Sequence, residues 1–243
     1  MGYLIRSKEH FYIGQTKSTD LGLNVEFLQP PPMAVQQFTV WETGKDMGGS
    51  SPDDYFENIQ YDIEARALRE PNSFGSNDIY AAFASAQTLS LSVVQGYYYK
   101  IRRVLGIIPS ADPVYKKNEI TYTISLELAP FKYHLDNEPF VVSGGTIENQ
   151  GTRYSRPKYV ISNRAAGQGQ LTLTVNGKAF LVSNLTDAMG SITIDAEKML
   201  CYDKDGNNLI MNTAGQIPFL ASGSNAVSVS TGTLTITGNW RSY

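Results

Sequence analysis

The sequence predicts an all-β protein with one short helix, laid out as two β domains, and three observations predict it. Asn176-Gly177 stands between two alternating runs, Leu171-Thr172-Leu173-Thr174-Val175 and Lys178-Ala179-Phe180-Leu181-Val182. Both residues of the pair tolerate the positive φ of a type I′ turn, so the runs are expected to fold back on each other as a hairpin. Residues 59–67 and 120–128 alternate apolar and polar side chains almost without interruption, the period of a strand with one wet and one buried face. Downstream of Gln170, short apolar runs are separated by turn signals every ~8–12 residues, the spacing of a β-sandwich.

Taken in order, residues 3–13 hold a short strand candidate, and 21–27 alternate Leu21, Leu23, Val25 and Phe27 against Gly22, Asn24 and Glu26. Pro30-Pro31-Pro32 stops regular structure, because proline gives no N–H to a ladder. Residues 35–41 read as a strand. The stretch 44–54, rich in Gly, Ser and Asp around Pro52, reads as a long exposed loop or the tip of an extended hairpin. Ser76, Asn77 and Asp78 are N-cap candidates, and Ile79, Ala82, Phe83 and Ala86 follow at helical spacing. Strands are expected over 89–94 and 97–104, and the strand from Ile120 is expected to end at Pro130. Between Pro130 and Gly151 the pattern loosens, which places a boundary near Tyr133 to Glu138 and gives domains 1–134 and 135–243.

In the second domain, strands are expected over 158–162, the two arms of the hairpin, 192–195, 199–203 and 208–211. Val227-Ser228-Val229 and Leu234-Thr235-Ile236 are expected to pair across a Thr231-Gly232 turn. A two-residue loop sets Val175 opposite Lys178, Leu173 opposite Phe180 and Leu171 opposite Val182. Five apolar side chains and the lysine stem then share one face.

The chemistry-bearing residues are sparse. Two histidines, His10 and His134, and one cysteine, Cys201, give neither the ligand spacing of a zinc site nor a nucleophile elbow. A lone cysteine forms no intrachain disulfide, and its place in an alternating run suits a small buried side chain. Asp203-Lys204-Asp205-Gly206-Asn207 resembles the start of a calcium loop, but the glycine comes early and Ala214 stands where a bidentate glutamate belongs; an Asp-Gly hairpin turn is the simpler reading. Asp195 and Glu197 lie close enough to pose as paired carboxylates for glycoside hydrolysis, yet no second acid faces them across a cleft, and structural charges at a strand end account for them. No catalytic residue, cofactor or metal is expected.

Net charge is −3, with a pI near 5.4. This argues against a protein that grips phosphate backbones; the densest basic cluster, Lys100, Arg102 and Arg103, followed by Lys116 and Lys117, reads as solvated strand positions. No run of ~18 apolar residues suggests membrane insertion, and residues 1–10 lack the apolar stretch of a secretory signal.

A series of short segments resembles one family. Asn149-Gln150-Gly151-Thr152, Ser155-Arg156-Pro157, the run from Leu171 to Gly177, Ile192-Thr193-Ile194-Asp195, Tyr202-Asp203, Ile217-Pro218-Phe219-Leu220, Gly223-Ser224-Asn225 and Asn239-Trp240-Arg241 resemble the distal tail (Dit) proteins of long-tailed, non-contractile bacteriophages. Asp20-Leu21-Gly22-Leu23 and Pro130-Phe131-Lys132-Tyr133 extend the resemblance through the first half, in the same order. It implies an N-terminal tail-tube-like β-sandwich or barrel and a C-terminal galectin-like β-sandwich. It further implies a homo-oligomeric ring, a hexamer, that joins the tail tube protein to the tail tip or baseplate and docks the tail hub and receptor-binding proteins. Such a protein is a virion component of the tail tip, assembled in the host bacterial cytoplasm, with a lumen for DNA passage. The mild acidity suits a conduit that must not hold DNA. One departure stands out: the family's Pro-Gly-Arg-like turn is absent from Val40-Trp41-Glu42-Thr43-Gly44-Lys45-Asp46.

Two functions follow as expectations. The first is a structural ring subunit, in which Gly44, Lys45, Asp46, Met47, Gly48, Gly49, Asp53 and Asp54 contribute to the subunit contact because the stretch is long and exposed. The second is a carbohydrate-binding, host-adhesion module, in which Tyr154, Arg156 and Tyr159 form a loose sugar-contact cluster.

Overall fold

The two longest alternating runs, residues 59–67 and 120–128, are paired strands of one sheet. The computed structural model describes residues 9–43, 47–68, 76–111, 119–142 and 145–243, and the chain divides into two units, Met1–Tyr133 with Tyr243, and His134–Ser242.

The first unit holds β1 (Phe11–Ile13), β2 (Thr16–Lys17), β3 (Gln36–Thr43), β4 (Met47–Phe56), β5 (Ile59–Leu68), α1 (Ser76–Ser85), β6 (Thr88–Leu91), β7 (Tyr97–Ala111) and β8 (Glu119–His134). Its main sheet runs β2-β1-β6-β7-β8, and β8 also carries β5. The β5–β8 ladder pairs Ile59 with Leu128 and Leu68 with Glu119. Along it Ile59, Tyr61, Ile63 and Ala65 are buried while Gln60, Asp62 and Glu64 are exposed, as a period of two requires. Helix α1 sinks Ile79 and Phe83 into the same core, with Phe83 tilted against Phe11 at 6.1 Å.

Four expectations for this unit are corrected. Residues 21–27 form no ladder. Ser18–Leu21 is a 3-10 turn closed by Gly22 at φ 70°, and only Asn24 bridges to Arg66. Leu21, Leu23 and Val25 are buried as their alternation requires, but Phe27 is 67 % exposed. Strand β7 runs seven residues past Val104 to Ala111, and β8 passes through Pro130 to His134. The proline lies beyond the last β5 pair, at Leu128, so its missing N–H takes no bond from that ladder. The strand expected within residues 3–13 is confined to Phe11–Ile13, and its first residues lie outside the described ones.

The second unit holds β9 (Phe140–Val142), β10 (Gly145–Asn149), β11 (Lys158–Ser162), β12 (Leu171–Val175), β13 (Lys178–Val182), β14 (Ile192–Asp195), β15 (Leu200–Tyr202), β16 (Thr213–Ala214), β17 (Gly223–Val229) and β18 (Thr233–Thr237). Two antiparallel sheets, β10-β17-β12-β13-β16 and β15-β14-β11-β18-β9, enclose one core, the arrangement of a β-sandwich. The hairpin register is the one the turn dictates, Leu171↔Val182, Leu173↔Phe180 and Val175↔Lys178, with Asn176 at φ 49° and Gly177 at φ 76°. Leu171, Leu173, Val175, Phe180 and Val182 are all buried. At roughly 1.5–3 kcal/mol for each such side chain, the face outweighs the turn in holding the hairpin down; the turn fixes the register.

The expected pairing of residues 227–229 with 234–236 is not formed. β17 pairs with β10 and β12 in one sheet, and β18 pairs with β11 and β9 in the other. The Thr231-Gly232 turn carries the chain across the sandwich instead. Gly232, at φ 87°, comes so near the Ser162 carbonyl that a Cβ would lie 2.5 Å from it. The strand expected over 208–211 is a 3-10 turn, Ile210–Asn212, after one bridge from Asn208 to Tyr202. No helix among the described residues is long and apolar enough to cross a membrane.

Candidate functional site

Residues 36–56 form the first candidate contact. β3 and β4 pair from Gln36↔Phe56 to Thr43↔Met47, with a register shift between Gln36 and Phe38. They make a two-stranded sheet to which no third strand adds among the described residues. Of the expected subunit-contact residues, Met47, Gly48, Gly49, Asp53 and Asp54 lie in β4, so of the two readings, loop or extended hairpin, the described part of the stretch is hairpin. Gly44, Lys45 and Asp46 lie outside the described residues. A two-stranded ribbon presents unpaired N–H and C=O groups along both edges and is marginal alone in water.

The second candidate lies wholly in the second unit. The segment 153–156 runs past 219–220, and Ser155 and Leu220 exchange backbone hydrogen bonds of 2.8 and 3.2 Å. This single antiparallel bridge puts Arg156 opposite Phe219, with Tyr154 on the same side by alternation, while Ser155 and Leu220 are fully buried. Asn149 anchors the bend. Its side-chain amide donates to the carbonyls of Arg153 and Ala221 at 2.9 Å each, and its oxygen accepts the Gly151 N–H at 2.9 Å. Gly151 is required there, because a Cβ would lie 2.3 Å from the Arg241 carbonyl oxygen. Asn239 holds the next turn of chain by donating to the Arg156 carbonyl at 2.9 Å.

Guanidinium groups cover the aromatic side chains of this patch. Arg241, buried in the short final strand Arg241–Ser242, donates through Nε to the Tyr154 carbonyl and lies 4.1 Å above the Tyr154 ring. Arg153 is 5.8 Å from the same ring and Arg156 is 5.5 Å from Phe219. The two rings are 5.7 Å apart. Of the three residues expected to contact sugar, Tyr154 and Arg156 therefore belong to one patch. Tyr159 does not: its ring is fully buried in the sandwich core and its hydroxyl donates to the Pro218 carbonyl at 3.2 Å. Burial pushes that hydroxyl's pKa up. The alternation that made Tyr159 a strand residue also turned it inward, away from any ligand.

Sequence reasoning missed Phe219 and Arg241 as members of the patch. They lie far from Tyr154 in sequence, and only the Ser155–Leu220 bridge and the final strand bring them together.

The remaining candidates are structural. Asp195 accepts the N–H groups of Glu197 and Lys198 at 3.0 Å each. Asp203 accepts those of Asp205 and Asn207 at 2.9 Å and the Asn207 side-chain amide at 2.9 Å, and the Asn207 side chain leads in holding its carboxyl below the usual range. Cys201 is buried in β15, and burial pushes its thiol up to about 11. Among the described residues no group of three His, Cys, Asp or Glu side chains is placed to hold a metal ion.

No protein-family model matches the chain, and no curated protein matches it by sequence. Solved structures do match. The crystal structure of the Dit protein of phage SPP1, described as a paradigm of the hub adsorption apparatus in phages infecting Gram-positive hosts, superposes with a TM-score of 0.66 at 10% identity, covering 94% of this chain and 97% of that one. Chains of the phage p2 baseplate in its activated conformation match at 0.53 with strontium and 0.52 with calcium, again at 10% identity, 94% and 97% coverage. Along nearly its whole length, in both β units, this chain has the fold of a phage distal tail protein.

Proposed function

We propose that the chain is a structural subunit of a bacteriophage tail, a distal tail protein that forms a closed ring of six copies between the tail tube and the tail tip or baseplate. In this reading residues 1–134 are the ring-forming, tail-tube-like domain and residues 135–243 a galectin-like sandwich. The ring leaves a lumen for DNA and docks the tail hub and receptor-binding proteins. It performs no reaction, and it resides in the virion after assembly in the host cytoplasm.

The observation that carries the proposal is the match to the SPP1 Dit protein over 94% of the chain. The β3–β4 ribbon supports it from within. A pair of strands whose two edges take no third strand among the described residues gains most by joining the strands of a neighbour, and repeating that heterologous contact around an axis closes a ring. Net charge of −3 suits a channel through which DNA slides without being retained.

Negative-stain electron microscopy of the purified chain, alone and mixed with tail tube protein, tests the reading. End-on views should show closed rings of sixfold symmetry, and rings should cap one end of each tube. Uniform single particles in both samples would overturn it.

A further inference from the structure

We propose that the patch of Arg153, Tyr154, Arg156, Phe219 and Arg241 binds an oxyanion carried on a saccharide, a carboxylate or a phosphate monoester. The proposal is independent of ring assembly, since all five residues belong to the second unit.

The geometry competes with the usual way aromatic residues hold sugars. A neutral sugar packs its C–H face onto an open ring face, but Arg241 sits 4.1 Å over Tyr154 and Arg156 sits 5.5 Å from the Phe219 centroid. A guanidinium laid on an aromatic ring keeps its charge and directs its N–H groups outward around its rim, the geometry that grips a carboxylate or phosphate. The Nε of Arg156 is buried and has no hydrogen-bond acceptor, so the chain leaves part of this charge without a partner, and an oxyanion held at the rest of the half-buried guanidinium would offset it.

Four carboxylates of this unit are engaged elsewhere. Asp187 accepts the Gly167 N–H, Asp195 and Asp203 cap turns, and Asp205 pairs with Lys204. Solvent reaches the patch, because Phe219 is 36 % exposed and Tyr154 half-buried. Its rim is small and largely polar: Thr152, Ala221 and Ser222 are exposed. Such a rim accommodates a hydroxyl-rich ring better than the apolar anchors through which a protein partner docks.

Isothermal titration of the full-length chain at low salt tests this, using glucose 6-phosphate and galacturonate against glucose, galactose, inorganic phosphate and a glutamate-rich peptide. At least one acidic sugar should bind while its neutral parent does not, and added NaCl should weaken binding. Arg156→Gln and, separately, Arg153→Gln should each weaken it about tenfold, the loss of one charge-assisted hydrogen bond, with unchanged melting temperature. If Arg156→Gln fails to fold, Arg153→Gln and the salt dependence decide. No binding of either acidic sugar, equal binding of the neutral sugars, or affinity indifferent to both variants would overturn the proposal. Inorganic phosphate or the peptide binding as tightly as the acidic sugars would overturn the assignment to a saccharide.

Discussion

Asn149 braces the bend after β10 against the segment before β17. Its side chain spans from the Gly151 N–H to the carbonyls of Arg153 and of Ala221, 72 residues away, and it is 4 % exposed. Removing it strands several buried backbone groups at once, so Asn149→Ala should cost about 2–3 kcal/mol, read as a lower melting temperature by calorimetry. Cys201 makes a second residue-scale prediction. Burial raises its thiol from 9.0 to about 11, and a group whose folded pKa lies above its unfolded value contributes its full stability below the lower value. Stability should therefore fall as pH rises from about 9 toward about 11, and less so in Cys201→Ala. At pH 8 the native thiol should label slowly with a disulfide reagent and rapidly once urea is added. The burial of Cys201 was legible from its alternating run. The role of Asn149 was not, because a side-chain amide does not announce which distant carbonyls it will reach.

At the scale of the element, local pattern determined register wherever the turn residues left one choice. Asn176-Gly177 fixed every pair of β12 and β13, and Gly177 at φ 76° is there because an L side chain is strained in that region. Gly177→Ala should destabilise the fold by about 1 kcal/mol, seen as a shift of the urea midpoint with unchanged slope. The same patterns failed where a neighbour decided the outcome. Residues 227–229 and 234–236 look like a hairpin, but each found better partners, β12 and β11, in opposite sheets. Leu21, Leu23 and Val25 obtained their burial without a ladder, because Gly22 at φ 70° had already turned the backbone out of line. Pro130 was read as a stop, whereas the β5 ladder had already ended two residues earlier, at Leu128. Alternation reports burial directly and hydrogen bonding only by implication.

At the scale of the whole molecule, two β units with a common fold-level likeness to phage tail proteins were legible as β domains from alternation and turn spacing, while their pairing order was not. The patch at Tyr154 was half visible: Tyr154 and Arg156 lie two residues apart, but Phe219 and Arg241 join them only through tertiary structure. The proposed ring contact was visible just as a long stretch of Gly, Ser and Asp, and the fold recasts most of it as one arm of a ribbon whose edges the chain does not fill among its described residues. On the proposed ring, self-association is the purpose of the molecule. Light scattering on the purified chain across a wide concentration range measures this most directly. A ring of six predicts a species of about six times the 26.8 kDa of one chain, its share growing as concentration rises. A mass that stays at one chain at the highest attainable concentration contradicts it.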